Sequence, residues 1–161
     1  MALSYLHSNG IRHKDIKPAN ILLLKDKNGK DTVSLCDFAT AFRYGAREGG
    51  TTEGPVKRWT RRYAAPEVHA HEKRNTSSDV WSLGCVFLEM LSIIKESSIA
   101  AMRNFLSSSV SSDRSGLDVC YSTYVHRIPE WLHRLGLPAN SSGPQQWTLD
   151  MVSRRERLEV G

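Results

Sequence analysis

Residues 11–39 read "IRHKDIKPANILLLKDKNGKDTVSLCDFA", a charged cluster followed by an aliphatic run, a turn signal and a second, alternating run. Asn28 followed by Gly29 between "ILLLK" (21–25) and "TVSLC" (32–36) predicts a β-hairpin of two antiparallel strands. With Asn28 and Gly29 as a two-residue turn, the ladder sets Asn20 opposite Asp37, about 5 Å apart between Cα atoms. An amide oxygen and a carboxylate are hard ligands, suited to a Mg²⁺ ion held partly by protein and partly by phosphate oxygens. Asp15 and Lys17 precede that end of the hairpin by a few residues. A base, a cation and a metal clamp in one region are what phosphoryl transfer requires, namely in-line positioning and charge neutralisation.

Outward from this stretch, the 161 residues are enough for one domain. The net charge of +5 favours anionic partners without choosing among them. Cys36, Cys85 and Cys120 form no CxxC pair, so neither a disulfide framework nor a zinc site is indicated. A reducing compartment, cytoplasm or nucleus, is the expectation. The richest apolar stretch, 80–94, is too short for a membrane span and carries Glu89, and no signal peptide opens the chain.

"MALSYLHSNG" places Leu3 and Leu6 on one helical face with Asn9 and Gly10 as a stop. No cap precedes that helix, which predicts that upstream sequence is missing. Residues 38–62 lack periodicity and read as a long loop, which in a compact domain is functional or disordered. "DVWSLGCVFLEMLSIIK" (79–95) is apolar almost all round the wheel and predicts a helix buried on most faces. "LSSSVSSDRS" (106–115) reads as a solvated linker, while 128–137 and 147–158 read as short helices. Trp81, Trp131 and Trp147 are expected in the core.

His13, Lys14 and Asp15 with Asn20, then Asp37, Phe38 and Ala39, then Ala65, Pro66 and Glu67, and finally "SDVWSLGCVFLEM" at 78–90, follow one another in a definite order. On these four motifs, roughly over residues 1–95, the chain resembles the eukaryotic protein kinase family, specifically its C-terminal lobe, and Lys17 in "DIKPAN" with Thr60 in "WTRRYAAPE" resembles its serine/threonine branch. The resemblance implies a fold that is mainly α with a small β-hairpin, part of the α+β kinase fold. It implies one partial domain over 1–161, with the motifs in 1–95 and divergent C-terminal helices in 96–161. ATP and Mg²⁺ are the implied cofactors and a protein hydroxyl the implied substrate. Asp15 would orient or accept the substrate proton, Lys17 would neutralise the transferred phosphoryl group and contact the nucleotide, and Asn20 and Asp37 would hold metal. His13 and Phe38 would stack beneath the site, and Asp79 would tie the long helix to the catalytic loop. Glu67 would pair with a late arginine, for which Arg154, Arg155 and Arg157 are the candidates. Thr51, Thr52 and Thr60 would lie in the activation segment.

Two departures carry meaning. Lys14 stands where the family usually has arginine and cannot grip a phosphate bidentately, so activation by loop phosphorylation is not expected. Ala39 replaces a usual glycine, and its Cβ restricts a backbone flip at Asp37. The family's glycine-rich loop, nucleotide-positioning lysine and helix glutamate all precede its catalytic loop, and only twelve residues precede His13. A C-terminal lobe fragment is therefore expected, inactive or very weak alone, its N-terminal lobe missing or separate. The alternative is a non-catalytic binding or docking protein. A small-molecule kinase is disfavoured by "YAAPE", and a nucleic-acid role by the lack of a known binding module accompanying the cations of 43–62. Those cations (Arg43, Arg47, Lys57, Arg58, Arg61, Arg62) suit either an acidic ligand or a solvated loop. Cys36 reads as a small buried hydrophobe or a reactive thiol.

Overall fold

The computed structural model describes residues 2–45, 51–53, 59–108 and 119–137, which divide between two compact units, 1–83 and 84–161. The predicted helix at 147–158, Trp147 and the candidate arginines 154, 155 and 157 lie outside the described residues.

In the first unit α1 (Ala2–Ser8) buries Leu3 and Leu6. Gly10, at φ +67°, ends it, and the Gly10 carbonyl accepts from Tyr44 N at 2.8 Å. A Cβ at Gly10 would lie 2.6 Å from the Tyr44 carbonyl oxygen, so glycine is required there twice over. Four short strands follow: β1 (Ile11–Arg12), β2 (Ile21–Lys25), β3 (Asp31–Leu35) and β4 (Phe42–Arg43). They form two antiparallel pairs, β1 with β4 and β2 with β3. The first pair is only two residues long, too short to leave a periodic signal, and the sequence reading did not include it.

The hairpin exists, but its register corrects the expected one by one residue. Ile21 faces Leu35 and Lys25 faces Asp31, and Cys36 N donates to Asn20 O at 3.0 Å, so Cys36 and not Asp37 stands opposite Asn20. The cause is the turn. Gly29 has φ +78° while Asn28 has no positive φ, which rules out the two-residue turn that needs both. Gly29 N instead closes a turn onto Asp26 O at 2.9 Å, and Asp26 N pairs with Lys30 O at 2.8 Å. The Asp26 side chain accepts from Asn28 N (2.8 Å) and Lys30 N (2.9 Å), an Asx-type brace that favours this longer loop.

The first unit also holds the one-turn helix α2 (Pro66–His69), begun by a proline at its first turn. Next comes α3 (Ser77–Ile94), the longest helix among the described residues. Trp81, Cys85, Val86 and Leu88 are buried on it, whereas Val80, Met90, Ile93 and Ile94 are exposed, which corrects the expectation of burial on most faces. By length and composition alone α3 could cross a membrane, contrary to the sequence estimate that the stretch is too short. Asp79, Glu89 and Ser92 are nevertheless buried along it with protein partners, as in the core helix of a globular domain.

In the second unit Ser98 caps α4 (Ile99–Ser107), accepting from Ala101 N at 3.0 Å. Leu106, which the sequence places in a linker, is fully buried in the last turn of α4; residues 109–115 lie outside the described ones. Met102, Leu106, Tyr121 and Ile128 form the core with Trp131 of α5 (Ile128–Arg134), whose Nε1 donates to Ser92 Oγ at 2.9 Å. Glu89 accepts from Arg103 Nη2 (2.8 Å) and Tyr121 Oη (2.5 Å), so the buried carboxylate has a cation and a neutral donor. Burial, then the Glu89 carboxylate, push the Tyr121 phenol well up.

Candidate active site

The loop between β1 and β2 is shaped by one carboxylate. Asp79, in the first turn of α3 and 2 % exposed, accepts from His13 N (2.8 Å), Lys14 N (2.8 Å) and His7 Nε2 (3.0 Å). For two successive backbone N–H groups to reach one carboxylate, Lys14 takes φ +69°, a conformation costing a side-chain-bearing residue roughly 1–2 kcal/mol. The charge-assisted bonds offset that cost.

His13 is fully buried. Its Nε2 donates to Cys36 O at 2.9 Å and its Nδ1 accepts from Asp15 N at 3.4 Å, so the partners specify the Nε2–H tautomer. Thr40 Oγ1 donates to His13 O at 3.1 Å. The Phe38 ring tilts over the imidazole at 4.9 Å between centroids, which joins the loop to the segment after β3.

Above this base three side chains converge on Asp15. Lys17 Nζ lies 2.6 Å from Oδ2, Thr60 Oγ1 donates to Oδ1 at 2.6 Å, and Asn20 Nδ2 donates to Oδ2 at 3.2 Å and to the Asp15 carbonyl at 2.8 Å. Lys17 Nζ also donates to Thr60 Oγ1 at 3.1 Å, closing the network. Burial raises the Asp15 pKa, but the Lys17, Thr60 and Asn20 bonds together outweigh it and leave the carboxyl below its ordinary value. At neutral pH Asp15 is a carboxylate held in one orientation. A proline at 18 starts the single 3₁₀ turn, 18–20, that places Asn20 within reach.

Asn20 and Asp37 are not joined by a hydrogen bond among the described residues. Both acceptors facing the Asn20 amide nitrogen are oxygens, which fixes the amide orientation, and Oδ1 has no protein donor among the described residues. Asp37 is exposed at φ +60°, with Oδ1 accepting from Ala39 N at 3.4 Å. Among the described residues each therefore presents a hard oxygen with no protein donor, a donor set suited to Mg²⁺ sharing its remaining ligands with phosphate oxygens. Among the described residues no cluster of three His, Cys, Asp or Glu forms an all-protein metal site.

The other sequence candidates are more scattered. Glu67 accepts from Ser78 Oγ at 3.0 Å. Thr51 is exposed, whereas Thr52 pairs with Arg74 through backbone bonds of 2.9 Å in each direction. Arg47, Lys57 and Arg58 lie outside the described residues. Sequence reasoning missed Arg12, buried beside His13, and Arg74, both of which contact the Thr52 stretch. An arginine in an otherwise alternating two-residue strand gives no periodic signal; only its placement against the catalytic-type loop could have flagged it.

The family model described as protein kinase domain matches residues 1–133. The chain is 42% identical over 90 residues to mitogen-activated protein kinase 4 of Oryza sativa subsp. japonica, covering 55% of this chain and 22% of that protein. It is 40% identical over 92 residues to cyclin-dependent kinase E-1 of Arabidopsis thaliana, covering 56% of this chain and 19% of the relative. A further match is mitogen-activated protein kinase homolog 1 of Petunia hybrida, 40% identical over 90 residues, 55% of this chain and 22% of the other. The chain thus spans about a fifth of the length of these curated relatives.

Proposed function

The chain belongs to the protein kinase domain family, and on that premise we propose that residues 13–37 with Thr60 are the phosphoryl-transfer apparatus of a serine/threonine protein kinase, carried here on its C-terminal lobe. The observation that carries this reading is the closed Asp15–Lys17–Asn20–Thr60 network. Such a group does little covalent chemistry and much positioning, which suits a loose transition state at phosphorus.

Asp15 orients the hydroxyl of a protein substrate by accepting its hydrogen bond. Being a weak base, it takes the proton late, once phosphorus–oxygen bonding has acidified the hydroxyl. Lys17, bonded to the same carboxylate, faces the oxygens of the moving phosphoryl group and offsets their charge. Asn20, oriented by Asp15, and the exposed Asp37 would hold Mg²⁺, which when bound with ATP neutralises the phosphate oxygens. Thr60 fixes Asp15 and Lys17 relative to each other and ties the 38–67 segment to the loop.

The purified chain supplied with a kinase N-terminal lobe on a separate polypeptide, and incubated with Mg·ATP and a protein rich in serine and threonine, tests the reading. Transfer that falls at least a hundredfold in Asp15→Asn supports it; transfer unaffected by that substitution refutes it. The second reading, a kinase-like binding protein, is favoured by the apolar residues exposed on the hairpin, Leu23 at 72 % and Val33 at 60 %. Binding of a protein partner without any transfer is its expected signature.

A further inference from the structure

Lys14 cannot act as a bidentate clamp, and the structure places a guanidinium two residues earlier. Arg12, 2 % exposed, lies in β1 immediately before the loop. Its Nη2 donates to Thr52 Oγ1 at 2.8 Å, and its Nη1 donates to the carbonyl of Arg74. Thr52 and Arg74 are the two residues that form an isolated β-bridge. One planar fork therefore grips both sides of that bridge, a geometry available to arginine and denied to lysine. The guanidinium head also lies against an aromatic face: its carbon is 5.7 Å from the ring centre of Phe42, the partner of Arg12 across β1 and β4.

We infer that Arg12 is a positioning residue, whose grip on the Thr52 hydroxyl and the Arg74 carbonyl holds the Thr52 stretch of the activation segment against the strand that leads into the catalytic loop, without a phosphate. This rests on reading residues 38–67 as that segment. Both acceptors are neutral oxygens, so the hold requires no modification. Burial lowers the Arg12 pKa, while Asp79 opposes that and favours the charged form.

Hydrogen exchange on the purified 161-residue chain tests the inference at the Thr52 and Arg74 amides, each of which bonds the other residue's carbonyl. Thr52→Val removes the acceptor and should speed exchange at both amides by about tenfold to a hundredfold, the range for a hydrogen bond to a charged group. Thr52→Ser keeps the hydroxyl and should restore protection. Arg12→Lys loses the fork's hold on both sides of the bridge and should speed exchange at least as much as Thr52→Val, and adding Thr52→Val to it should bring no further increase. Exchange unchanged by Thr52→Val would overturn the inference. So would finding Thr52 phosphorylated in the wild-type protein, with protection lost on dephosphorylation. The outcome does not depend on phosphoryl transfer, so it fails or stands separately from the Asp15→Asn assay.

Discussion

Replacing Thr60 by valine removes one hydroxyl and keeps the shape, and it should measurably loosen Asp15. The lost contact is a 2.6 Å bond to a carboxylate whose side chain is 10 % exposed, together with the 3.1 Å acceptor of Lys17. A hydrogen bond to a charged group contributes about 1.5–3 kcal/mol, and residual solvent access places this one near the lower end, about 2 kcal/mol. Urea unfolding followed by tryptophan fluorescence would read that as a midpoint lowered by about 1 M, given slopes of about 1–3 kcal/mol/M. The pH dependence supplies an independent check. Asp15 is held below its ordinary 3.8, so its contribution is present above that value and disappears as pH falls through the folded-state pKa. The gap between wild type and Thr60→Val should be constant from pH 7 to 5 and close below pH 3.8. Thr60→Ser should behave as wild type. A gap under about 0.5 kcal/mol at pH 7, where changes away from specific contacts usually fall, would refute the assignment. A gap that persists undiminished after Asp15 is protonated would do so too.

Asp79→Ala leaves two backbone donors and His7 without their acceptor in a buried site, and should destabilise the chain by about 3 kcal/mol or more in the same urea assay. Gly10→Ala forces a Cβ to 2.6 Å from the Tyr44 carbonyl at a positive φ, and should cost about 2 kcal/mol or more by thermal unfolding. A thiol reagent at neutral pH should label Cys36, which is partly accessible, and spare Cys85 until the chain unfolds, because burial pushes the Cys85 thiol well up. Peptide mapping of the labelled protein reads the order directly.

The parts of the fold legible in the sequence were those with a period or a turn residue of their own. Leu3 and Leu6, the two strands around Gly29, and the long helix from Ser77 all carry such signals. The hairpin register was misread because Asn28-Gly29 fits two turn types, and the Asp26 side chain, not the dipeptide, selects between them. The helix at 99–107 was overlooked because its serine-rich end resembles a linker, although Leu106 is fully buried. In the candidate site, Asp15, Lys17, Asn20 and Thr60 meet through their own side chains; residue type with spacing pointed to the first three, whereas Thr60 was named only through the resemblance, as part of the activation segment. Arg12 and Arg74 meet Thr52 across long sequence separations, which no local pattern encodes.

The two-residue pairing of β1 with β4 makes a neck, Ile11 against Arg43 and Arg12 against Phe42, from which everything between them hangs. Loop closure is settled at that neck and again at the β2–β3 ladder, so the tip at 26–30 is insulated from the network around Asp15. Doubling the length of a flexible loop costs only about 0.6 kcal/mol. The hairpin tip is therefore the place to graft an epitope or a fluorescent peptide, whereas a single residue inserted between 13 and 20 would shear Lys17 and Asn20 away from the carboxylate they share.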